Sequence, residues 1–67
     1  MSKHSLQGRE VILEFHQIGQ IVKVTAMDTK TLTEISIQGP VSAGESLLKT
    51  NALKRLEYVL KKNGVIS

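Results

Sequence analysis

Residues 39–46 read GPVSAGES, and whether they cradle a phosphate or start a helix decides the fold. Gly39 and Gly44 stand five apart and Ser46 follows, the spacing of a nucleotide-binding loop, but Glu45 occupies the place of the lysine that reaches the phosphate oxygens. A carboxylate there sets an anion against an anion. The parallel sheet that presents such loops is also missing from the patterning. Ser42 followed three residues later by Glu45 instead reads as a capping box, with the serine hydroxyl accepting the Glu45 amide and the carboxylate reaching back to the Ser42 amide. The expectation is a structural cap formed by Ser42 and Glu45, worth about 1 kcal/mol, and no nucleotide site.

Upstream of this stretch the hydrophobic period is two. Val11, Leu13 and Phe15 alternate with Ile12, Glu14 and His16, and Val22, Val24 and Ala26 alternate with Ile21, Lys23 and Thr25. Two strands therefore meet near Gly19. Taking Ile18 and Gly19 as a two-residue loop pairs Phe15 with Val22, Leu13 with Val24 and Val11 with Ala26, and sets Glu14 opposite Lys23. Asp28 to Thr31 make the next turn, with Asp28 suited to bond the backbone two residues on. A third strand follows with Thr33, Ile35 and Ile37 inward and Glu34, Ser36 and Gln38 outward, ended by Gly39 and Pro40.

Downstream the period becomes helical from Glu45 to Asn63. Leu48, Ala52, Leu53, Leu56, Val59 and Leu60 fall in one arc, Lys61 and Lys62 suit the last turn, and Asn63 with Gly64 stops it. The pattern predicts an α+β domain: a three-stranded antiparallel β-meander followed by one C-terminal α-helix packed on one face. Residues 1–9 read as a disordered or weakly tethered polar tail, 10–64 as the single domain and 65–67 as the C-terminal end.

A chain of 67 residues buries only about 60% of the surface its unfolded form exposes. Its stability margin is narrow. There is no cysteine to form a disulfide or a thiolate metal site, no signal peptide and no membrane-length apolar run, so a soluble, cytoplasmic protein is expected. The net charge of +3 is uneven: residues 10–38 are net acidic, whereas the tail and the C-terminal third carry the bases. His4 and His16 lack partners at ligand spacing, and no serine or threonine has a base and an orienting group beside it. Metal, cofactor and catalytic sites are all expected to be absent.

Two surfaces remain once the core is assigned. Ile12, Ile21 and Met27 stand on the sheet face that a single helix cannot cover, and with free sheet edges they predict self-association as a homodimer. Tyr58 lies on the outer helix face with Lys54 and Arg55 one turn before it and Lys61 and Lys62 one turn after. That stripe suits an acidic protein or the phosphates of RNA, and gives the alternative of nucleic-acid binding. Membrane binding is not expected, because the sheet already uses the apolar helix face.

EVILEFHQIG (10–19), SIQGPVSAGES (36–46) and ALKRLEYVLKK (52–62) resemble a family of short uncharacterised bacterial proteins, mostly alphaproteobacterial. The resemblance implies a cytoplasmic bacterial protein and supplies no activity. The strand-strand-strand-helix order is also similar in topology to the double-stranded RNA-binding domain. That family adds an N-terminal helix and clusters lysines where this chain has Glu45.

Overall fold

A computed structural model describes Leu6 and residues 8–67. Three strands, β1 (Val11–Ile18), β2 (Ile21–Asp28) and β3 (Glu34–Pro40), form an antiparallel sheet in the order β1-β2-β3. A short 3-10 turn (Val41–Ala43) leads into helix α1 (Glu45–Lys62). The expected α+β meander with a C-terminal helix is the fold observed. The helix packs on β2 and β3, leaving the helix-side face of β1 less covered.

Period two fixes which residues point inward, but the hairpin register differs from the expected one. Ile18 faces Ile21, Phe15 faces Val24, Leu13 faces Ala26 and Val11 faces Asp28. The loop is Gly19 and Gln20, a slip of two residues that keeps every side chain on its expected face. The expected Glu14–Lys23 pair does not form: Lys23 faces His16, and Glu14 faces Thr25. Turn chemistry explains the choice. Gly19 has φ 60°, whereas Gln20 is not left-handed, the pattern of a type II′ hairpin, which puts glycine first in the loop.

The core is Val24 and Ala26 from β2, Leu48, Ala52, Leu56 and Leu60 from α1, and Leu6 from before the first strand. Val11, Leu13, Val22, Ile35, Ile37, Leu53 and Ile66 pack around it. Each fully buried leucine contributes about 1.5–3 kcal/mol. The buried helix residues step by four, so Val59, placed in the same arc by sequence, stays half-buried. Within the stretch read as a disordered or weakly tethered tail, two described residues are held in the fold: Leu6 is 3% exposed, and Arg9 is tied to Asp28. The rest of that tail, residues 1–5 and Gln7, lies outside the described residues.

The GPVSAGES stretch is structural, though not as a capping box. Ser42 sits inside the 3-10 turn and makes no side-chain cap bond; Gly44, at φ 89° and ψ 147°, is the N-cap, and Glu45 is the first helical residue. Because Gly44 already supplies the extended entry and its carbonyl accepts the Leu48 amide at 3.2 Å, the serine lies two residues ahead of the cap position and makes no cap bond. The other glycine has a different reason. A Cβ on Gly39 would run into Leu48 Cδ2, so the bare backbone lets the helix seat its first core leucine directly on β3.

Candidate interaction surfaces

Among the described residues, a buried and multiply bonded charged set joins Arg9, Asp28 and Thr31. Arg9 grips Asp28 with two parallel bonds, Nε to Oδ1 and Nη2 to Oδ2, each 3.1 Å. Asp28 Oδ2 also accepts from the Thr31 amide at 3.0 Å and from Thr31 Oγ1 at 2.7 Å. Asp28 bonds the backbone three residues on, where two were expected. The guanidinium bonds first, and then those of Thr31, hold the Asp28 carboxyl well below the usual carboxylate range, against the opposing effect of burial. The same bonds raise the Arg9 pKa. These bonds tie Arg9, ahead of β1, to the turn that follows β2, so the cluster closes this end of the fold. Sequence gave no sign of it: Arg9 lies 19 residues from Asp28, inside a stretch without periodicity.

The open sheet face carries the residues expected there. Ile12 and Ile21 are exposed and Met27 is half-buried. The register sorts them into two cross-strand pairs, Ile12 with Met27 and Ile18 with Ile21. Ile18 belongs to this face and was missed because it was read as a loop residue; it is 66% exposed. Between the two apolar pairs lies a polar middle of Glu14 beside Thr25 and His16 beside Lys23, and Thr25 Oγ1 bonds Ser36 Oγ at 3.1 Å. Glu34 stands next to Met27 on the third strand.

The opposite face is incomplete at the hairpin end. Phe15 points to the helix side, yet it is 38% exposed, since α1 crosses β2 and β3 and leaves the hairpin end of β1 uncovered. A hollow of about 330 Å³ opens beside it, lined by Phe15, Gln17, Val22, Val41, Glu45 and Leu48. It has an apolar floor and a carboxylate at the helix end.

On α1, Lys54, Arg55, Tyr58, Lys61 and Lys62 are all exposed, as expected. They are not all free for a ligand. The Arg55 guanidinium lies over the Tyr58 ring at 5.4 Å from its centre, and Lys61 Nζ is 3.6 Å from Glu57 Oε2. Among the described residues no three His, Cys, Asp or Glu side chains come together as a metal site, and His4 lies outside those residues. Among the described residues no helix is long and apolar enough to cross a membrane.

With this geometry in view, the sequence profile of a Domain of unknown function (DUF6898) matches residues 8–63. The chain belongs to that family. The matched span starts beside Arg9 and ends at the helix stop, so the Arg9–Asp28 lock, the sheet and α1 all lie inside it. No curated protein matches the chain, and no solved structure does.

Proposed function

We propose that this DUF6898 domain is a non-catalytic interaction module, a bacterial cytoplasmic protein that associates with a second copy of itself through its sheet. The observation that carries the reading is the uncovered apolar surface of β1 and β2: Ile12, Ile18 and Ile21 on one face and Phe15 on the other are each more than a third exposed. In so small a domain, leaving four large apolar side chains in water gives up core that the fold can hardly spare, unless a partner covers them. The absence of cysteine from the sequence fits a reducing compartment. Sedimentation equilibrium at rising concentration tests it. The expected result is a monomer-dimer equilibrium with a melting temperature that climbs with concentration; a monomer at the highest concentration overturns it.

A second reading, RNA or acidic-protein binding by the Lys54, Arg55, Tyr58, Lys61 and Lys62 stripe, is favoured by the exposure of all five residues on one helix. It ranks lower, because Arg55 already covers a face of the ring on which a base would stack and Lys61 has an acidic neighbour. Titration of labelled single-stranded and duplex RNA at two salt concentrations decides it. Saturable binding that weakens steeply with salt supports the stripe; none at micromolar protein removes the RNA reading.

A further inference from the structure

The self-association reading leaves open which surface joins the copies. Resting on that reading, we propose that the joint is the free edge of β1, which pairs antiparallel with β1 of a second copy about a twofold axis at Phe15.

The hydrogen-bonding direction of β1 comes from its first residues. The Thr29 amide donates to the Glu10 carbonyl at 3.1 Å, so Glu10 and, by alternation, Ile12, Glu14, His16 and Ile18 direct their backbone groups at β2. Val11, Leu13, Phe15 and Gln17 direct theirs away from the sheet. The same logic applies to β3, where the Val41 amide donates to Gln20 at 2.8 Å; Glu34, Ser36, Gln38 and Pro40 therefore face outward there.

The two edges are protected differently. The β3 edge offers an acidic residue at one end and, at the other, a proline with no amide to donate, both common means of blunting an edge. The β1 edge runs eight residues, VILEFHQI, with no proline, no lysine or arginine and no break in register. It is a straight template for another strand.

The side chains then select both partner and register. In an antiparallel joint of two identical strands the axis falls on one residue. An axis at Glu14 sets Glu14 against the partner's Glu14 and Ile12 against the partner's His16. An axis at Leu13 sets Glu14 against the partner's Ile12, and one at His16 sets Glu14 against the partner's Ile18. With the axis at Phe15, Ile12 meets the partner's Ile18, Glu14 meets the partner's His16, and Phe15 meets the partner's Phe15, with the first two contacts occurring twice by symmetry. A carboxylate beside an imidazole donor and apolar against apolar are the favourable cross-strand pairs. On its open face, strand β1 is thus complementary to itself in this register.

This joint also accounts for the hollow on the helix face. Pairing two β1 edges makes one six-stranded sheet with both helices on the same side, and the floor between them is the uncovered part of β1 around Phe15. The two Phe15 rings, on directly paired residues about 5.5 Å apart at their Cα atoms, fill that trough as an aromatic pair. Phe15 would go from 38% exposed to covered without any movement of α1.

Residue-resolved amide hydrogen exchange at low and high protein concentration tests the joint. In the dimer, the Leu13, Phe15 and Gln17 amides should gain protection as concentration rises, in step with dimer formation seen by sedimentation. Gln17→Pro removes an outward amide while sparing the ladder to β2, and should weaken the dimer at least about tenfold. Glu14→Lys, tested in parallel in case the proline variant folds poorly, should weaken it about tenfold, and adding His16→Glu should restore the affinity to within about threefold. A dimer whose Leu13, Phe15 and Gln17 amides exchange equally fast at all concentrations overturns the edge joint but leaves self-association standing. A monomer throughout overturns both.

Discussion

The two ends of this sheet are finished in opposite ways. At the Asp28 end, a buried carboxylate takes two bonds from Arg9 and two from Thr31, Leu6 is buried in the core, and the β2-β3 turn is stitched by the Leu32 amide on the Asp28 carbonyl at 2.7 Å. At the hairpin end, Phe15, Ile18 and Ile21 remain exposed, and a hollow takes the place of a packed layer. The comparison shows two ways of ending a sheet: polar bonding secures one end, and the other leaves its apolar surface uncovered. What differs is whether the chain supplies groups that satisfy and cover each end.

The largest expected effect breaks the secured end. Asp28→Ala leaves Arg9 and Thr31 without their acceptor in a buried position, and chemical denaturation should show a loss of about 3 kcal/mol. Acid acts on the same group. Its pKa is depressed in the fold, so its contribution is complete above the ordinary carboxylate value of about 3.9. It is lost progressively as pH falls from there through the lower folded value. An acid titration of Asp28→Ala should therefore be flatter below about pH 4 than that of the parent chain.

Gly39→Ala tests the margin of the hairpin end, where Leu48 occupies the space a Cβ needs. The expected cost is about 2 kcal/mol from overpacking, read as a lower melting temperature; an unchanged one would mean that Leu48 has room to move into the hollow. Leu32 sits in the secured turn at φ 62° with 69% of its surface exposed. Leu32→Asn should gain about 0.5–1 kcal/mol, because asparagine tolerates the left-handed backbone and no packing is lost. The smallest effect belongs to Ser42→Ala, which should change stability by less than about 0.5 kcal/mol, as this serine caps nothing. A loss near 1 kcal/mol would restore the capping box.

Much of this architecture was legible in the sequence because it depends on period. Alternation marked the inward face of each strand, and the helical arc marked Leu48, Ala52, Leu56 and Leu60. The hairpin register was not legible from the same signal, since a slip of two residues buries an identical set. Only the position of Gly19 within its turn separates the two registers, and that in turn assigns Ile18 to the open face. The cap misled for a related reason: Ser42 and Glu45 have capping-box spacing, but Gly44 between them fixes the helix start two residues later. The Arg9–Asp28 lock and buried Leu6 carry no periodic signal at all. Of the candidate surfaces, the residues were legible but their arrangement was not: Ile12 beside Met27, and Arg55 over Tyr58, are products of register and rotamer.

Pro40 has a consequence that reaches past a single molecule. Its nitrogen lies on the outward side of β3, in a position to join a neighbour's strand, and it cannot donate. A copy adding head to tail, its β1 against another's β3, would leave a fresh β1 exposed each time and build an open-ended fibre. Proline at one end of that edge and Glu34 at the other oppose such growth, so a sheet of this design that accepts one more strand on its first edge has a natural stopping point on its last.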